Sequence, residues 1–249
     1  MTTEELTGTT AIVTGASSGL GRGIASALHQ AGAHVIGVAR DPAKLADLRA
    51  QLGERFTPVA ADATDPTTAG TLMDAYRPRT LALVAGARPL SRPLHQHTWE
   101  TFSRNWEVDV KQAFGWIREA LLMPLAPDSV VIAMSSGAAV RGSALSGGYA
   151  GAKATIRFAA SYAQEESERA GLGIRFLSVL PQLTPATDLG AVAVAAYAAR
   201  AGLDLAAYRD QLGPALTPET AGKSFVELAT HPELAGSFML TAGGLAPAP

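Results

Sequence analysis

The stretch that most restricts how this chain can fold is Thr10-Ala-Ile-Val-Thr14, running directly into Gly15-Ala-Ser-Ser-Gly19-Leu-Gly21. A short apolar run set between Gly8 and Gly15 is what a parallel strand buried on both faces requires. After the glycines the pattern turns helical through Ile24, Leu28 and Ala31. A glycine-rich turn from strand to helix lets backbone N–H groups approach a diphosphate, with the positive end of the helix dipole aimed at it. The spacing is Gly-x-x-x-Gly-x-Gly, so taken alone Gly15, Ser17, Ser18, Gly19, Leu20 and Gly21 read either as a phosphate cradle or as a tight connection.

The rest of the chain repeats the strand-then-helix rhythm. Apolar runs at 34–39, 56–60, 80–84, 129–134, 174–180 and 237–241 read as further strands, with helical patterns between them. Pro42 and Pro66 each sit where a first helical turn tolerates proline, and Asp41 and Asp65 precede them as caps. The pattern over 98–122 reads as one long amphipathic helix whose aromatics Trp106, Phe114 and Trp116 belong to the core. Together these segments predict an α/β fold: a Rossmann-type, doubly wound, mostly parallel seven-stranded sheet between two helical layers, in one domain over residues 1–249. An alanine-rich segment at about 184–211, with Tyr197 and Tyr208, is the expected cover of a substrate pocket. Arg88, His95 and His97 are expected at its border.

Charge excludes several classes of partner. Twenty Lys and Arg stand against 22 Asp and Glu, which leaves no field to attract nucleic acid or an anionic membrane. There is no cysteine, and the five histidines form no ligand-like cluster, so no metal is expected. The acidic start at residues 1–5 and the lack of any run of eighteen apolar residues lead to the expectation of a cytoplasmic protein acting on a small molecule.

Tyr149 and Lys153 lie four residues apart, a spacing that puts both on one helix face. A phenol ordinarily titrates near pH ~10, and a cation beside it favours the phenolate, so the pair is suited to proton transfer. Ser136, at the end of a predicted strand, could hydrogen-bond a carbonyl or alcohol at the same place. At the end of the second strand a carboxylate would select a free ribose 2′-hydroxyl and a guanidinium a 2′-phosphate; Arg40 comes first there, although a solvated arginine beside a capping Asp41 is the plainer alternative.

These pieces resemble the short-chain dehydrogenase/reductase family over nearly the whole chain. Its Thr-Gly-x-x-x-Gly-x-Gly stands as Thr14 to Gly21, its Tyr-x-x-x-Lys as Tyr149 to Lys153, and its serine as Ser136. The resemblance implies a nicotinamide dinucleotide, with NADP(H) favoured over NAD(H) by Arg40, and hydride transfer to or from a small carbonyl or alcohol. Tyr149 would move the proton, Ser136 orient the oxygen, and Lys153 also hold the nicotinamide ribose. It further implies cofactor contacts from Asp62 and Ala63, from Ala85 and Gly86, and from Pro181, Gln182 and Thr184, with Thr187 an equal candidate for the last. A homodimer or homotetramer is the implied assembly.

Four positions depart from the family pattern. Asn-Asn-Ala-Gly is here Leu83-Val84-Ala85-Gly86, Pro-Gly is Pro181-Gln182, and the helix asparagine of the proton relay is Asp109. Asp109 is either a charge that pairs with Lys153 or a residue working chiefly through its backbone; the second is the expectation. Gln182 would either alter the nicotinamide edge or offer an amide to it. These departures keep two rivals open: dehydration, isomerisation or epimerisation on the same scaffold, and a non-catalytic cofactor-binding protein.

Overall fold

The computed structural model describes residues 5–249; the acidic stretch over residues 1–4 lies outside the described residues. The first half runs β1 (Thr10–Thr14), α1 (Gly19–Gln30), β2 (His34–Ala39), α2 (Pro42–Leu52), β3 (Phe56–Ala60), α3 (Pro66–Tyr76) and β4 (Thr80–Leu83). Then come α4 (Trp99–Asn105), α5 (Lys111–Leu122), β5 (Val130–Met134), α6 (Tyr149–Ala170) and β6 (Arg175–Pro181). The chain closes with α7 (Asp188–Ala201), α8 (Leu205–Leu212), α9 (Pro218–Thr230), β7 (Ser237–Thr241) and β8 (Gly244–Pro247).

The eight strands among the described residues form one sheet in the order β3-β2-β1-β4-β5-β6-β7-β8. The first seven are parallel and β8 returns antiparallel to β7. The fold is therefore the expected Rossmann-type class with one strand more than predicted. Gly-Leu-Ala-Pro has no apolar alternation to announce a strand; Gly244, at φ 98°, makes the reversal that brings it back. The edges of the sheet, β3 and β8, each carry an exposed proline, Pro58 and Pro247. The strand order reverses between β1 and β4, and there a crevice opens beyond the strand ends.

Both faces of the sheet are covered, and successive side chains alternate between them. Ala11 and Val13 pack with Ile24, Leu28 and Phe225 on one face, while Ile12 packs with Leu81, Trp116 and Phe176 on the other. Burying each large apolar side chain contributes about 1.5–3 kcal/mol. Local signals set the helix starts: the Asp41 carboxylate accepts from Ala43 and Lys44 N–H, and Asp65 accepts from Thr67 N–H.

The pattern over 98–122 is not one helix. A π-turn over Trp106–Val110 separates α4 from α5. Trp116 and Ile117 are core as expected, whereas Trp106 is 39% and Phe114 58% exposed. Phe114 stands two residues from Trp116, which on a helix is the opposite face. Trp106 instead rests its ring over Gly151 of α6.

Candidate functional site

The crevice at the switch point is a cleft of about 630 Å³, and every residue expected to hold the cofactor or do chemistry lines it. Its floor is the glycine turn. Gly15 has φ 72°, and a Cβ there would lie 2.9 Å from the Ala85 backbone; a Cβ on Gly21 would lie 2.2 Å from the Gly15 carbonyl oxygen. Only glycine lets the turn close this tightly over the end of β4. The Thr14 hydroxyl fastens the same junction, accepting from Val84 and Ala85 N–H and donating to Gln112 Oε1. Of the two positions that lose an amide relative to the family pattern, Leu83 is buried in the core and Val84 is partly buried on the cleft wall.

The start of α1 differs from most helix starts in this fold. Side chains accept from the first-turn N–H groups of α2, α3, α7, α8 and α9, but Ser18 makes no such bond and the first turn of α1 holds no acid. Those N–H groups face the cleft uncapped, which is the donor set an anionic diphosphate requires. At the adjacent strand ends, Arg40 follows β2 and Asp62 lies just beyond β3. Asp41 is committed to capping α2, leaving Arg40 as the charged side chain that β2 delivers to the cleft. The Asp62 carboxyl accepts from Thr64 N–H, and that bond, opposed in part by burial and helped by Arg40, holds it below the usual carboxylate range.

At the other end, β5 delivers Ser135 and Ser136. Ser135 Oγ donates to the Lys153 carbonyl at 2.7 Å, tying the strand end to α6, while Ser136 Oγ accepts from Ala138 N–H at 3.2 Å and faces the cleft. Tyr149 opens α6 and Lys153 follows one turn later, its ammonium 5.7 Å from the Tyr149 ring centre.

Asp109 acts through its side chain, contrary to the backbone role expected. Its carboxylate Oδ2 lies 3.1 Å from Lys153 Nζ, and both side chains are buried, 1% and 6% exposed. Its Oδ1 accepts from Ala87 N–H at 2.7 Å. The reason is the π-turn, which aims the carboxylate back at the loop after β4. Lys153 Nζ also donates to the Met134 carbonyl at 3.0 Å, so of its three N–H donors one remains for a ligand. Burial opposes the ammonium charge, but the Asp109 carboxylate, with a smaller contribution from Tyr149, more than offsets it, and the group is held above its ordinary value.

Asn105 escaped the sequence reading. Its amide donates to the Ala87 carbonyl at 2.9 Å and reaches both Asp109 oxygens at 3.4 Å. The sequence offers only an asparagine four positions before Asp109, and its burial emerges from the structure. Gln182 lines the cleft with its amide anchored, Nε2 donating one of its two N–H bonds to the Pro214 carbonyl. The Thr184 hydroxyl is likewise turned inward to the Leu216 carbonyl, while Thr187 lies against Gly19. Arg88, His95 and His97 do not line the cleft; Ala87, Pro89 and Ser91 form that border instead. Among the described residues no group of His, Cys, Asp and Glu could hold a metal ion, and no single helix is long and apolar enough to cross a membrane.

Residues 9–197, more than half of the chain, match the family described as short chain dehydrogenase. The chain belongs to the short-chain dehydrogenase family. Among curated members it is 34% identical over 106 residues to human L-xylulose reductase and 33% identical over 107 residues to pig carbonyl reductase [NADPH] 2, each alignment covering 43% of this chain and 43% of the relative. It is 47% identical over 57 residues to a probable NADP-dependent dehydrogenase of Haemophilus influenzae, 23% of each chain. The matched stretches thus span less than half the length of these relatives. Among solved structures, a 3-ketoacyl-(acyl-carrier-protein) reductase from Brucella melitensis, complexed with NADH, superposes with TM-score 0.79 over 96% of this chain and 98% of its own, at 22% identity. That likeness is one of fold. As a member of this family the chain has a Rossmann-type fold.

Proposed function

We propose that this short-chain dehydrogenase is an NADP(H)-dependent reductase of small carbonyl compounds, formed as one domain over residues 1–249. The observation that carries the reading is the convergence of Ser136, Tyr149 and Lys153 on one cleft whose far end is the uncapped start of α1. The residues present suit a dinucleotide: the glycine turn for its diphosphate, Arg40 for a 2′-phosphate, Asp62 and Ala63 for adenine, and Ala85, Gly86 and Pro181 beside the nicotinamide. The hydride is the chemistry such a group would supply when bound.

In this reading the Ser136 hydroxyl donates to the substrate oxygen and holds it near Tyr149. The phenol gives that oxygen its proton, and the Lys153 ammonium stabilises the charge left on the phenolate. Asp109 does not touch the reacting atoms; it fixes the ammonium from behind, and the remaining Lys153 donor is left for a ribose hydroxyl. The segment 184–211, with α7 and α8 meeting at a bend of 107°, would cover the substrate. Exposed Phe114, Phe158 and Tyr162 on α5 and α6 are an apolar face of the kind a homo-oligomer buries.

The test is to follow NADPH and NADH absorbance in parallel with a panel of aldehydes and ketones. Carbonyl-dependent oxidation, faster with NADPH, is the expected result. Product formed with no net change in the cofactor would favour dehydration, isomerisation or epimerisation, and binding without turnover would favour a non-catalytic role.

A further inference from the structure

The cations lining the cleft are unequal. Lys153 is neutralised by Asp109, and Arg40 stands near Asp62 at the adenosine end. Arg141 also lines the cleft, and its guanidinium makes no ion pair or side-chain hydrogen bond among the described residues. The third acid on the cleft wall, Asp188, follows Thr187, which lies against Gly19 and so belongs to the diphosphate end.

Arg141 is set by its backbone at the catalytic end. It follows the 3₁₀ turn that begins at Ser136, and its N–H donates to the Gly137 carbonyl. The next residue, Gly142, is packed so closely on α6 that a Cβ there would lie 3.0 Å from Ala150 Cβ, beside Tyr149. Two residues on, the Ser143 hydroxyl meets Ser146 Oγ and the Tyr197 phenol. Tyr197 lies nine residues along α7 from Asp188, about 13 Å at the rise of a helix. Tyr208 completes this rim, and burial, with Tyr197 adding to it, pushes its phenol up, so it stays a protonated donor. Leu145 and Ala193 supply the apolar wall between.

Resting on the reductase reading above, we propose that the substrate is a carbonyl compound bearing a carboxylate, which Arg141 holds at the mouth while the carbonyl reaches Ser136 and Tyr149. A planar guanidinium suits a carboxylate because it donates two parallel N–H bonds. Hydroxyls of Ser143, Tyr197 and Tyr208 around it donate without adding a competing negative charge. A neutral ketone of the same shape would leave the guanidinium without its partner.

The experiment compares benzoylformate and 2-oxobutanoate with their methyl esters, on the full chain saturated with NADP⁺, by calorimetric titration. The acids are expected to bind roughly tenfold to a hundredfold more tightly than the esters, as a hydrogen-bonded charge pair gives. Arg141→Gln should erase most of that preference, and Arg141→Lys should restore part of it. Equal affinity for acid and ester, absence of acid binding, or a preference that survives Arg141→Gln would overturn the proposal. Turnover with NADPH of these four compounds and of the wider aldehyde and ketone panel separates the two readings: Arg141-dependent binding with no hydride transfer to any of them keeps this site and sinks the reductase.

Discussion

At the strand ends, Lys153 is gripped by the Asp109 carboxylate and the Met134 carbonyl, in surroundings nearly closed to solvent. Across the mouth, Tyr197 of α7 meets Ser143 through a single hydroxyl contact, and none of the α8 residues is buried. The inner wall is built of charges in low dielectric, where removing one partner strands the other; the outer wall is built of contacts that water can replace. Chemistry that depends on position belongs on the first, and choice among substrates on the second.

The largest effect expected is at the inner wall itself. Tyr149→Phe should lower kcat by about 10²–10⁴-fold while NADPH binding, read by fluorescence titration, is retained. Turnover at the parental rate would remove Tyr149 from the mechanism. Asp109→Ala should cost about 3–5 kcal/mol of stability in urea denaturation, because it leaves the Lys153 charge buried without its partner. Asp109→Asn, which can still accept from Ala87, should cost less.

The same pair gives a pH signature. Lys153 holds its proton more tightly folded than unfolded, so its stabilisation is complete below the ordinary lysine value of 10.5 and is lost as pH climbs through the higher folded value. The stability gap between parent and Lys153→Met should therefore stay constant near neutrality and narrow only in strong alkali. Narrowing between pH ~6 and ~8 would mean that the ammonium is not held as described.

Arg40→Asp should move the NADPH to NADH ratio of kcat/KM by about tenfold or more toward NADH, from loss of a charge-assisted bond worth about 1.5–3 kcal/mol. Smallest of all, Tyr197→Phe should cost less than about 1 kcal/mol of stability. A loss as large as that of Asp109→Ala would erase the contrast between the walls.

Much of this was legible in the residues, and the exceptions share a cause. Strands 10–14 and 34–39 fall where the apolar runs put them, because a strand buried on both faces needs such a run whatever surrounds it. The glycine turn, Ser136 and the Tyr149–Lys153 pair, each ambiguous by its own spacing and legible only in combination, all lie on the cleft. The π-turn at 106–110 was not legible, since one extra residue in a helical turn changes which faces align without changing composition. With it went the inward aim of Asp109 and the partnership of Asn105. Gln182 and Thr184 line the cleft as expected, but each also bonds to a carbonyl more than thirty residues away, that of Pro214 and that of Leu216. A polar residue near a site shows in the sequence; the carbonyl it will bond to does not.

The prolines at the two sheet edges set a limit on how copies of this chain can meet. An open edge strand is a template on which another strand can continue the ladder, and Pro58 on β3 and Pro247 on β8 each lack the N–H such a continuation would use. Growth by strand addition, the usual beginning of fibrous aggregation, is thereby interrupted at both ends of the sheet, and association is steered toward the helical faces.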